Sequence, residues 1–286
     1  MVRLTEKMSI LKKIIFILTI IWTFESHGQN DTKYSIFWNN LSIYNPAATG
    51  SIRSQKGGQN ISMNGQTPTF GIDSIHSNSF CVLYEINLDS SKNSLGLNYQ
   101  QDKIGIRTNN QINLNYSRLF ITATGKLNAG IALGYASNSN TLNLNGGLLY
   151  TTRRIRTGFG VTHINQSDTQ PVKYSFNKTR NYYFNFQYSF VPSPNIILTP
   201  MILVRSIVSS TVADLNLLME FYRKKHNNLL AGIGYRTSNS IILSAGFTIR
   251  HIVTIFYSFN YVELTPNTLY KNNHEIALNI YLKSLN

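Results

Sequence analysis

The 286-residue chain has one cysteine, Cys81, only seven prolines, and 12 acidic residues against 26 basic ones. A single cysteine excludes an internal disulfide framework, so an exported fold must rest on hydrogen bonding and burial. The shortage of acid leaves a formal charge of +14. Long apolar runs are absent too, with one exception near the N-terminus. Nothing downstream reaches the roughly 18 residues that a spanning helix needs. That excludes a helical membrane bundle but not a membrane barrel, whose strands need only about nine to eleven residues of alternating apolarity.

The exception is the run IIFILTIIWTF at Ile14 to Phe24, preceded by Arg3, Lys7, Lys12 and Lys13. A basic region followed by an apolar run too short to span predicts a cleaved signal peptide over residues 1–28. Ser26 and Gly28 supply the small residues of a cleavage site, which leaves Gln29 as the new N-terminus. Cys81 lies too far downstream to serve as a lipoprotein cysteine. Cleavage removes four basic and two acidic residues, so the charge falls from +14 to +12. In an exported protein such a balance argues against nucleic acid. It suits an anionic membrane surface or cell-wall polymer, or simply a solvated positive surface.

The mature chain shows a period of two almost throughout. In KLNAGIALGYAS, Leu127, Ala129, Ile131, Leu133 and Tyr135 fall on one face, and Asn128, Gly130, Ala132, Gly134 and Ala136 on the other. The pattern recurs at residues 155–161, 182–190, 229–235, 241–249, 253–261 and 276–282. Polar clusters such as Ser137–Asn140, Arg223–Asn228 and Thr237–Ser240 separate the runs and are short enough to close hairpins. From about Gln59 the count is roughly fourteen strands. A soluble β-sandwich would also alternate, but its second face would carry solvating charge. Here that face is mostly Asn, Ser, Thr and Gly, and only 13% of the chain is charged. Tyr99, Tyr116, Tyr135, Tyr150 and Tyr235 sit near strand ends, as in an aromatic girdle. These features predict an all-β fold: an antiparallel up-and-down barrel of the outer membrane, preceded by a signal peptide.

Catalytic and metal patterns are weak. His76, His163, His226, His251 and His274 include no pair at the spacing of a zinc helix. The acids are scattered singly, and no spacing selects a serine–histidine set for an outer-membrane hydrolase. GFG at Gly158–Gly160 and GIGY at Gly232–Tyr235 lie inside strand patterns with no helix following. They read as small inward-facing residues rather than phosphate loops. No catalytic, cofactor or metal residue is assigned.

One stretch resists the strand reading: FWNNLSIYNPAATG, from Phe37 to Gly50, with a turn at Asn45–Pro46. It resembles the N-terminal signature of the PorP/SprF family of type IX secretion system membrane proteins, at Phe37, Asn39, Asn45, Pro46, Ala47 and Gly50. Further blocks agree in order. They are the strand, turn and Asn-rich strand around Asp102, Lys103 and Gly105, the hairpin with Gly232, Gly234, Tyr235 and Arg236, and a final strand with His274 and Glu275. The resemblance runs from about residue 34 to residue 282.

It implies a non-enzymatic outer-membrane barrel of a Bacteroidetes-type bacterium. The partners it implies are the periplasmic ring lipoprotein and peptidoglycan-associated proteins of the secretion system, a secreted adhesin such as those used in gliding, or both. It also divides the chain into a signal peptide (1–28), an N-terminal periplasmic or plug segment (29–57) and the barrel (58–286). The alternative is a passive porin, which would have an open lumen. Residues such as Tyr183 and Ala132, expected inside, point toward a filled one.

Overall fold

A computed structural model describes residues 34–51, 58–68, 77–88, 92–104, 107–137, 141–166, 180–207, 210–223, 227–262 and 272–282. The predicted leader and Gly105 lie outside the described residues. Fifteen strand segments follow one another: β1 (Gln59–Pro68), β2 (Ser77–Asn87), β3 (Asn93–Ile104), β4 (Arg107–Ile121), β5 (Lys126–Ala136), β6 (Thr141–Thr151), β7 (Ile155–Thr162), β8 (Asn181–Tyr188), β9 (Phe190–Ser193), β10 (Ile196–Ile207), β11 (Ser210–Arg223), β12 (Asn227–Arg236), β13 (Ser240–Ile249), β14 (Val253–Val262) and β15 (Asn273–Leu282).

Each strand pairs antiparallel with its neighbours, and β15 returns to β1, so the sheet closes on itself. The short β9 pairs with the same strand as β8 and continues it beyond Ser189. The wall therefore has fourteen staves, the number expected from the alternation.

Side chains are sorted inside out relative to a soluble protein. Leu97, Leu114, Leu133 and Leu144 are cross-strand neighbours on β3 to β6, and all four are exposed. One position along, Asn98, Asn113, Gly134 and Asn143 form the matching row on the inner face, with the three asparagines buried. A band of exposed leucine backed by buried asparagine is stable where the outside is hydrocarbon, and this decides against the sandwich. The inner amides pair with one another; Asn113 Nδ2 donates to Asn98 Oδ1 at 2.7 Å, for example.

Tyrosines edge the apolar band. Tyr99, Tyr135 and Tyr235 face outward toward one end, while Tyr84 and Tyr116 face outward toward the other, where they bond Gln59 and Asn93. The end that carries Gln59 and Leu282 has only short connections. The opposite end carries the long ones, 163–180 and 263–272. In membrane barrels, short turns mark the periplasmic side.

Candidate functional site: a plugged lumen

The segment Tyr34–Gly50 is folded inside the barrel. It makes a 3-10 turn at Phe37–Asn39, a single helical turn α1 (Leu41–Tyr44) and a second 3-10 turn at Pro46–Ala48. Proline opens that last turn, where its missing N–H is not needed. Asn45 caps it, its Oδ1 accepting the Ala47 amide at 3.0 Å.

Two unlike halves of the wall hold this plug. Toward β8–β15 an apolar cluster on an otherwise polar inner face receives the plug: Ile36, Phe37 and Tyr44 pack with Tyr183, Met201, Leu203, Leu218, Leu230 and Phe256. Phe37 is fully buried there, and burial of such a side chain stabilises by about 1.5–3 kcal/mol. Toward β4–β7 the plug meets glycine, serine and asparagine, with Leu149 packed on Leu41, Ala47 and Ala48, and at the glycines the plug backbone touches the wall. A β-carbon on Gly130 would stand 2.3 Å from Ala47 N, and one on Gly147 would stand 2.1 Å from Asn45 Oδ1. One on Gly160 would stand 2.3 Å from Tyr44 O. Asn45 Nδ2 donates to Leu148 O at 2.9 Å, and Ser117 Oγ donates to Ala47 O at 3.2 Å.

Carboxylates clamp both ends of the plug. Glu275 accepts the backbone amides of Ser35 (2.5 Å) and Ile36 (3.3 Å), and the Asn64 side chain at 2.9 Å. Glu85 accepts the Gly50 amide at 3.1 Å. Gly50 has φ +69°, a conformation natural to glycine, and a β-carbon there would collide with Asn87 and Ser94. Beside the plug, Asp214 joins Arg205 and Arg236 in a buried triad. Arg236 donates from Nε and Nη2 at 2.7 and 3.0 Å, and Arg205 from Nη2. The Arg205 guanidinium lies over the Tyr44 ring, 6.0 Å from its centre. Desolvation raises the phenol pKa values of Tyr34 and Tyr44, so both stay neutral.

The residues singled out in the sequence separate into two groups. Phe37, Asn39, Asn45, Pro46 and Ala47 are buried in the plug, and Gly50 closes it. Glu275 meets the plug from the wall, and Arg236 pairs with Asp214 on the neighbouring strand. Tyr235 and His274, their chain neighbours, point the other way. Tyr235 is 42% exposed, and His274 bonds Tyr257 at 2.7 Å. Asp102 and Lys103 belong to the end of β3, opposite Asn109 and Thr108, with Lys103 exposed. Sequence reading missed Glu85, Arg205 and Asp214, and it took the glycines of β5–β7 only as small inward-facing residues. The signal for the charged ones was present: in CVLYEIN, Glu85 shares the parity of buried Cys81 and Leu83. Among the described residues no cluster of His, Cys, Asp and Glu could hold a metal ion.

The family described as type IX secretion system membrane protein PorP/SprF matches residues 26–280. The chain belongs to this family. No curated protein matches it in sequence. Three solved structures share the fold of this PorP/SprF member. The Ralstonia pickettii toluene transporter TbuX is 9% identical with TM-score 0.53, over 85% of this chain and 92% of that one. Omp33 of Acinetobacter baumannii is 7% identical with TM-score 0.51, over 81% and 100%. A Pseudomonas aeruginosa FadL homologue is 11% identical with TM-score 0.51, over 85% and 93%. At these identities the likeness is one of fold alone. Family and fold together support an outer-membrane barrel, and a membrane component rather than an enzyme.

Proposed function

We propose that this PorP/SprF chain is a plugged, non-conducting outer-membrane component that supports export or surface attachment of proteins secreted by the type IX system, gliding adhesins among them. Its partners are the periplasmic ring lipoprotein and peptidoglycan-associated proteins, the secreted protein itself, or both. The observation that carries this reading is the filled lumen: Tyr34–Gly50 occupies the space that a passive porin would leave open. Of the residues that carry the resemblance, Phe37, Asn39, Asn45, Pro46, Ala47 and Gly50 build the plug and Glu275 holds it, which supports a role for them in closing the barrel. The mature protein begins at Gln29 after removal of the leader, which N-terminal sequencing of the membrane-extracted protein checks.

Deletion in the native host, followed by mass spectrometry of the medium and cell surface, tests the reading. Loss of many secreted proteins would identify a part of the core machine. Loss of one large adhesin would identify a dedicated partner. An unchanged secretome would overturn the proposal.

A further inference from the structure

The charge of the barrel is not shared evenly between its two ends. By the strand limits, the short connections at the periplasmic end carry Lys92, Arg153, Arg154, Lys224, Lys225 and Arg250 against a single acid, Asp89. The connections at the opposite end carry three acids, Asp73, Asp168 and Glu263, against four basic residues. The positive excess of the connections is therefore gathered at the periplasmic rim, where Lys92, Arg153, Arg154 and Arg250 are exposed.

One basic residue of this end lies on the outside of the wall. Arg118 of β4 shares the outward parity of Leu114 and Tyr116, and it is exposed two residues beyond Tyr116 on the periplasmic side of the tyrosine girdle. Its partner across the ladder is Asn93, the residue after Lys92. Leu119 N donates to Lys92 O at 2.7 Å, which carries the ladder one step further and sets Lys92 beside Arg118. The Arg118 guanidinium carbon lies 5.7 Å from the centre of the Phe120 ring. Since Phe120 is the next outward residue toward the turn, the cation is held toward the rim and away from the apolar band.

Two basic side chains thus meet where hydrocarbon gives way to headgroups. Phe120 and Leu95 are exposed beside them on the same outer face. The basic pair suits a phosphodiester, and the apolar surface next to it suits acyl chains. An acidic soluble protein would match the charge but not the apolar surface, which the bilayer covers. Basic residues at this depth are tolerated at little cost, and each one near an anionic leaflet adds attraction.

We propose that the periplasmic rim binds anionic phospholipid of the inner leaflet of the outer membrane. Lys92 and Arg118 hold one phosphodiester headgroup, and the basic turns around the rim gather further anionic lipid. The site rests on the orientation of the barrel, with its short turns in the periplasm, and not on the secretion reading.

The test uses the full-length protein in a neutral detergent, titrated with phosphatidylglycerol and, in parallel, with phosphatidylcholine of the same chains. Native mass spectrometry counts the lipid bound. The wild-type protein is expected to prefer phosphatidylglycerol by about thirtyfold, as two basic residues at an anionic headgroup imply. The double variant Lys92→Gln/Arg118→Gln should lose this preference and keep its heat-modifiable barrel, while Lys92→Arg/Arg118→Lys should retain it. Lys103→Gln, which removes an exposed charge at the opposite end, should retain it too. Equal affinity for the two lipids, an undiminished preference in the double Gln variant, or an equal loss in Lys103→Gln would overturn the proposal. So would displacement of bound phosphatidylglycerol by inorganic phosphate or polyglutamate at the same concentration, which would make the rim a site for soluble anions or an acidic protein.

Discussion

Gly160 of β7 faces the carbonyl oxygen of Tyr44 so closely that a β-carbon on it would stand 2.3 Å away. Gly130 of β5 stands in the same relation to the Ala47 amide nitrogen. In both cases the obstacle is backbone, so no side-chain rotation relieves it.

Gly160→Val or Gly130→Val should therefore displace the plug while suiting the strand that carries the change. The wild-type protein is expected to be silent in planar bilayers. Either variant should conduct and should expose the segment around Tyr34–Gly50 to protease. Gly65→Ala is the control, because the nearest atom to a β-carbon there is 4.0 Å away. Steady conductance from the wild-type protein would overturn the plugged-lumen account.

Glu275 ties the start of the plug to β15. Glu275→Ala would strand three donors, the Ser35 and Ile36 amides and the Asn64 side chain, each at about 1–3 kcal/mol if buried unpaired. Glu275→Gln keeps an acceptor oxygen and should lose less. Urea titration of protease sensitivity within the plug should show the midpoint falling in the order wild type, Gln, Ala. Equal midpoints would mean that Glu275 does not hold the plug.

Much of the wall was legible in the sequence, because alternation registers directly which side a residue takes. Leu133 and Asn128 were placed on opposite faces from their spacing alone, and they are exposed and buried respectively. The apolar cluster in the lumen was harder to read. In IILTPMILVRSI the inward Met201 and Leu203 alternate with outward residues that are also apolar, so period two leaves no contrast. The glycine cradle was read only as small inward residues. What makes Gly130, Gly147 and Gly160 necessary is the backbone of a distant segment, and contacts between such remote positions have no local pattern. The pairing of Arg205, Asp214 and Arg236 was hidden for the same reason.

That triad gives a stability test. Asp214 has no exposed side-chain surface, and the two arginines are nearly as buried. Asp214→Ala leaves two guanidinium groups without their anion and should cost about 3–5 kcal/mol. Replacing the set together, as Arg205→Met/Asp214→Leu/Arg236→Met, removes the buried charges and should recover most of the loss. The temperature at which the barrel loses its compact form on gels provides the measurement. A single Asp214→Ala variant as heat-resistant as wild type would show that the triad contributes little.

The plug can also be loosened without altering the wall. Replacing Asn45–Pro46 with Ala-Ala removes the cap on the Ala47 amide, the bond to Leu148 O and the fixed φ of proline. The three losses together amount to about 2–3 kcal/mol, a shift of roughly 30- to 150-fold toward the released plug. None of the removed contacts belongs to a strand ladder, so the barrel should still assemble and show its heat-modifiable band. Secretion measured by mass spectrometry of the medium should fall. Reduced secretion with an intact barrel would tie export to the seated plug. Normal secretion from a variant whose plug is demonstrably protease-accessible would mean that the segment closes the barrel without taking part in export.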